Sequence, residues 1–232
     1  MKKIESSESG NNKELHYELV RRYFKKNATL KSLEEVKREI KKRIMWKVYT
    51  STLDEILQNN GEISSVIDVG CGMGNFTLEL VEHNQFKKIV GIDFLKETID
   101  IIHQDKKRLG GVSFLQCDIL NLPFKNKSFD LTLCLDTLHH IHKDDFSKAI
   151  HELARITNNY LMFEIRNKNY FLEYWFKNFL LQILYKDLPQ YTTSIPEVNN
   201  LMKKHGFQLK IIRGRTSLSK TCRRLVLVYK RI

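Results

Sequence analysis

The chain has 232 residues, 42% of them hydrophobic, enough for a sizeable core in one large domain or a domain with an appendage. The longest apolar stretch, 169–185, is broken by Glu173, Lys177 and Gln182 and is too short and polar to span a bilayer, and residues 1–14 lack the apolar core of a signal peptide. Four single cysteines without a CxxC pair leave a reducing, cytoplasmic address as the expectation, and the formal charge of +12 lies at the ends: +7 over 1–47, −5 over 48–200 and +10 over 201–232.

Residues 12–58 read as two or three helices, with an intermittent apolar stripe at Leu33, Val36, Ile40, Ile44, Val48 and Leu53. We place them as a helical cap over the carboxyl edge of the sheet that follows. Apolar, β-branched runs predict strands at 64–70, 88–94, 112–118, 129–137, 159–166, 207–214 and 223–230. Helical spacing fills most gaps, at 74–83, 96–108, 144–157, 169–185 and 194–206, the last opening on Ser194 and Pro196 and stopping near Gly206. This alternation predicts an α/β fold, a doubly wound parallel sheet of seven strands. Only about eight residues separate the last two strands, too few for a crossover helix, so the final strand should return antiparallel.

Between the first strand and its helix stands 68-DVGCGMG-74, with glycines at every second position. Such a junction brings bare backbone to the carboxyl edge of the sheet, where a ligand can approach closely. A dinucleotide fingerprint would put the third glycine one residue later, so the loop alone does not name a ligand. Asp93 closes the second strand, 23 residues after Gly70, where a carboxylate can accept both hydroxyls of a ribose, and Asp118 closes the third, within reach of a purine edge.

Taken together, 68-DVGCGMG-74, 90-VGIDF-94, 115-LQCDI-119 and 129-FDLTLCLDTLHHI-141 resemble the successive motifs of class I S-adenosylmethionine-dependent methyltransferases, most closely the small-molecule group. The resemblance covers residues 60–165 well, the carboxyl-terminal hairpin loosely and the first 55 residues hardly at all. It implies a Rossmann-like, SAM-binding domain over 59–232, with 1–58 as amino-terminal tail and cap and 169–200 as an acceptor-side insertion. It also implies that Gly70, Gly72 and Gly74 pack against the methionine part of the cofactor, with Asp68 orienting the loop or reaching the ammonium through water. Asp93 would take the ribose hydroxyls, Phe94 the adenine face, Asp118 the adenine amino group and the Ile119 N–H a ring nitrogen, while the Leu135 carbonyl would meet the ammonium.

A sulfonium methyl is already electrophilic, so the protein must mainly align the acceptor and exclude water. Where a base is needed, His139 or His140 could supply it; the alternative is packing beside the loop. The string His139-His140-x-His142 is not read as a metal site, because no carboxylate or thiolate at ligand spacing accompanies it. Trp46 and Tyr49 could close over the cofactor. Tyr170 and Tyr174, on the aromatic stretch 169–185, could line an acceptor pocket for an aromatic or lipid-like molecule, or that helix could simply be sandwiched between sheet and cap. Arg213 and Arg215 could clamp a carboxylate or phosphate on an anionic acceptor. The reading is methyl transfer to a small organic molecule. The alternative is an RNA methyltransferase whose basic ends track a backbone, although no separate RNA-binding module is visible.

Overall fold

The computed structural model describes residues 2–28, 44–58, 62–104, 111–170, 190–216 and 221–232. In chain order these form α1 (Lys2–Ala28), α2 (Ile44–Gln58), β1 (Ser65–Val69), α3 (Asn75–Val81), β2 (Lys88–Asp93), α4 (Lys96–Gln104), β3 (Val112–Gln116), β4 (Phe129–Cys134), α5 (Phe146–Ile156), β5 (Thr157–Arg166), α6 (Ile195–Lys204), β6 (Phe207–Arg213) and β7 (Arg224–Arg231). Two short 3-10 turns, Leu138–His140 and Lys143–Asp145, link β4 to α5.

The strands form one seven-stranded sheet in the order β3-β2-β1-β4-β5-β7-β6. Neighbours from β3 to β5 run parallel, and β7 inserts between β5 and β6, antiparallel to both. The expected doubly wound sheet with a returning last strand is therefore what forms. Because chain direction reverses only in β7, the carboxyl ends of β1 to β6 and the start of β7 share one rim.

The strand period of two sends successive side chains to opposite faces, and the core divides accordingly. On one face Ile67, Val69, Phe163 and Leu227 pack with Phe146, Ile150 and Leu153 of α5 and Val198 and Met202 of α6. On the other, Val66, Leu131, Met162 and Val228 pack with Leu53 and Ile56 of α2, Phe76 and Leu80 of α3, and Ile99 and Ile102 of α4. Burial on both faces explains the unbroken apolar run Tyr160-Leu161-Met162-Phe163 in β5. The predicted start of α6 is a complete capping box: Ser194 accepts from the Glu197 N–H, and Glu197 accepts from the Ser194 N–H.

The amino-terminal helix differs from expectation. α1 begins at Lys2, although residues 2–11 carry no apolar period, and its later turns dock by polar contacts. Lys13 and Tyr17 bond Asp145 at 2.6 and 2.8 Å, His16 Nε2 donates to the His140 carbonyl at 2.8 Å, and Lys25 pairs with Glu97 of α4 at 2.7 Å. α1 thus runs from the segment after β4 to the helix after β2. Leu33, Val36 and Ile40 lie outside the described residues, as do Tyr174 and most of the expected helix 169–185.

Candidate functional site at the carboxyl rim

The glycine loop is folded by its own backbone. The N–H groups of Gly70 and Cys71 both donate to the Ile92 carbonyl at 2.8 and 2.9 Å, which draws the loop over the end of β2. Gly70 has φ +78°, and a Cβ there would lie 2.2 Å from Thr137 Oγ1, so glycine is required on both conformational and steric grounds. Gly72 also has positive φ, +52°, but a Cβ there would meet nothing within 4 Å. Its bare Cα faces open space.

Asp93 completes the loop: one carboxylate oxygen accepts from the Gly72 N–H and the other from the Leu95 N–H, each at 3.0 Å. Burial raises its pKa, and these backbone donors work against the rise. Asp68 sits underneath, 2% exposed, accepting from Thr77 Oγ1 at 2.7 Å. Burial pushes its pKa up to about 6, with a smaller push from Asp93. Asp68 thereby ties the end of β1 to the first turn of α3. Asp118, one strand farther, is exposed and accepts from its own Leu120 N–H at 2.9 Å; Ile119 is buried behind it, and Phe94 is half-buried between the two acidic ends. The Leu135 carbonyl accepts from Thr137 Oγ1 at 2.9 Å.

Asn75, which the sequence reading passed over, is a further member. It follows Gly74 directly, is 8% exposed, and its side-chain oxygen is buried without a hydrogen-bond partner among the described residues. Buried acceptors normally find a donor. Its place immediately after three glycines was the available signal.

Beyond β4 the rim changes character. Glu164 on β5, fully buried, accepts from both Arg166 and Arg224, and the Tyr49 hydroxyl donates to it from α2. Arg166 and Arg224 each turn Nη2 to Asp136 Oδ1, at 2.8 and 3.0 Å. Burial alone would raise the Asp136 pKa; the guanidiniums of Arg224 and Arg166 reverse this and hold it well below the usual carboxylate range. Tyr49 and Trp46 set their rings edge-to-face on Phe76, the second residue of α3, with centroids 5.9 and 5.3 Å away. α2 is thereby fixed to both halves of the rim.

The two histidines expected as candidate bases are enclosed. Arg166 Nη2 lies 3.0 Å from His139 Nε2, and because guanidinium can only donate, that nitrogen's lone pair is already engaged. His139 is 3% exposed, and burial followed by the Arg166 charge pushes its pKa well down. His140 lies under Phe24 of α1 at 4.9 Å, and burial lowers its pKa to about 4. Both environments favour the neutral imidazole near pH 7. Asp136, His139 and Glu164 offer three donor atoms within 4.8 Å of one another, but the two guanidiniums already supply the positive charge a cation would bring.

The expected arginine clamp does not assemble either. Arg213 donates to Glu55 and to Ser51 Oγ on α2, and Arg215 is exposed beyond β6. Tyr170 is half-buried beyond the end of β5. No described helix is long and apolar enough to cross a membrane.

A methyltransferase-domain family matches residues 66–159. Among curated proteins, the chain is 29% identical over 133 residues to the probable tRNA methyltransferase 9B of Mus musculus, spanning 51% of this chain and 28% of that protein. It is 32% identical to demethylmenaquinone methyltransferase of Deinococcus radiodurans over 39% of this chain and 37% of that one. The chain thus spans about a third or less of the length of these two relatives. Among solved structures, magnesium protoporphyrin IX methyltransferase of Synechocystis PCC 6803, with bound SAH, superposes with TM-score 0.64 at 18% identity, covering 82% of this chain and 84% of that one. The fold is the same. Residues 66–159 thus match a methyltransferase domain, and the seven-stranded sheet, with the glycine loop and the acidic strand ends on one rim, has the fold of this S-adenosylhomocysteine-bound methyltransferase.

Proposed function

We propose that the protein binds S-adenosylmethionine along the rim from β3 to β4 and transfers its methyl group to a small organic acceptor held against β4, β5 and β7. The single observation carrying the acceptor half of this reading is charge balance. Arg166, Arg213 and Arg224 face Glu55, Asp136 and Glu164, three cations against three anions in direct ion pairs. A site that wraps a polyphosphate backbone needs uncompensated Lys or Arg; these three arginines are compensated.

The rim fits the cofactor. The open Cα face of Gly72 admits close approach of a ligand, and the unpartnered Asn75 oxygen could accept from the methionine ammonium. Asp93 would take the ribose hydroxyls on the lone pairs that Gly72 and Leu95 leave, and Phe94, Asp118 and Ile119 would hold the adenine. When bound, the sulfonium supplies an electrophilic methyl group. The chain's own part is to hold the acceptor in line and exclude water, with Trp46 and Tyr49 closing the methionine side; alignment of this kind is worth several kcal/mol.

The second reading, an RNA acceptor, is favoured by the likeness to a tRNA methyltransferase and by ten Lys+Arg with no acid in residues 201–232. Incubation with methyl-labelled cofactor and cell extract separates the two. Label should enter small molecules and survive ribonuclease treatment of the extract. Ribonuclease-sensitive label in RNA, with tRNA binding that falls steeply with salt, would transfer the proposal to the second reading.

A further inference from the structure

Asp136 has an unusual position. It is one of three non-glycine residues with positive φ among those described, at +53°; the other two, Asn84 and Lys127, are exposed. Positive φ in a non-glycine residue costs energy and persists where the surroundings fix it. Here the surroundings are Arg166, Arg224 and His139, whose Nε2 lies 3.8 Å from Asp136 Oδ1. Glu164, the other acid of the network, has no exposed side-chain surface, Arg166 keeps 9% and His139 2%, while Asp136 keeps 36%. The buried network therefore opens to solvent at Asp136 and, beside it, at Arg224, which keeps 28%.

The Asp136 carboxylate lies next to the residue that meets the glycine loop. The next residue, Thr137, turns its hydroxyl to the Gly70 carbonyl of the glycine loop, whereas Asp136 turns the other way, to β5 and β7. Asp136 thus stands between the loop and the strands assigned to the acceptor. Beside it, Arg224 uses Nε and Nη2 on Glu164, Asp136 and Tyr49, and its Nη1 has no partner among the described residues. An anionic group reaching Nη1 would come up against the Asp136 carboxylate. A group with a hydrogen on nitrogen or oxygen meets no such opposition: the hydrogen goes to Asp136 and a lone pair faces Arg224.

Resting on the methyltransferase reading above, we propose that Asp136 is the acceptor-positioning residue, and that the acceptor presents an N–H or O–H group, as an amine, amide or alcohol does, rather than a carboxylate or phosphate. Arg166, Arg224 and Glu164 act through it, fixing its direction.

Sinefungin tests this without a known acceptor, because it carries an amino group where S-adenosylmethionine carries the sulfonium methyl. Calorimetry should find wild type binding sinefungin about tenfold more tightly than S-adenosylhomocysteine, the scale of one charged hydrogen bond. Asp136→Asn should erase that preference while changing S-adenosylhomocysteine affinity less than about twofold, which a purely structural role would not do. Asn and Gly both tolerate positive φ, so Asp136→Gly serves if the first variant does not fold. Wild type without the preference, or a variant that keeps it, overturns the assignment of Asp136. No binding of S-adenosylhomocysteine to wild type refutes the cofactor reading instead, and the assignment falls with it.

Discussion

The two halves of the rim are built from different materials. From β1 to β3 the site is backbone: glycine N–H groups on the Ile92 carbonyl, Asp93 on two further N–H groups, and a glycine whose missing Cβ leaves open space. From β4 to β7 it is side chain: Tyr49, Asp136, Glu164, Arg166 and Arg224, joined across separations of up to 175 positions. A backbone cradle tolerates most substitution of its neighbours and suits a ligand that does not vary. A lattice of ionised side chains can be retuned one residue at a time and suits one that does.

The largest break in this contrast should come at Glu164. Glu164→Gln removes the charge shared by two guanidiniums in a buried setting, and uncompensated buried charge costs about 3–5 kcal/mol. Denaturant unfolding at pH 7 reads this directly, and a loss below about 1 kcal/mol would mean the lattice is not holding β5 to β7. On the backbone side, Gly70→Ala meets both the Thr137 clash and the positive φ, for an expected loss of about 2–4 kcal/mol with cofactor binding impaired.

Asp68 gives a smaller effect with a definite sign. Its folded pKa of about 6 stands above the unfolded value, so its stabilising contribution is complete below about pH 4 and is lost as pH rises through 6. The stake is about 3 kcal/mol over that window. Asp68→Asn, which keeps an oxygen for Thr77, should therefore flatten the fall in unfolding free energy between pH 4 and 7; an unchanged slope would show that Asp68 is ionised in place. His140 carries the opposite sign: its folded value of about 4 stands below the unfolded one, so the stability present at pH 7 is lost as pH falls from 6.5 through 4. The His140 imidazole should titrate by NMR with a midpoint about 4, and a midpoint at the ordinary histidine value would contradict this.

The same contrast explains what could be read from the sequence. The sheet, the glycine loop and the acids ending β2 and β3 were legible because each is a short-range pattern: alternation, a strand followed by glycines, a carboxylate at a strand end. The ion-pair lattice was not, since nothing within 30 residues of Tyr49 reveals Glu164 or Arg224. One local sign existed: Glu164 and Arg166 are charges inside the otherwise apolar run 160-YLMFEIR-166, and charges in a doubly buried strand must be paired. The surroundings of His139 and His140 were hidden for a related reason. Their residue type suits a base, but Arg166 and the docked α1, both remote in sequence, set their environment.

The central claim is that this rim holds an adenosyl cofactor through Asp93. Calorimetry with S-adenosylhomocysteine on wild type and Asp93→Ala tests it most directly. The account predicts measurable binding to wild type and at least about tenfold weaker binding to the variant, the cost of hydrogen bonds to an ionised group. Equal affinity in both would contradict the ribose role of Asp93, and no heat in wild type would contradict the cofactor itself.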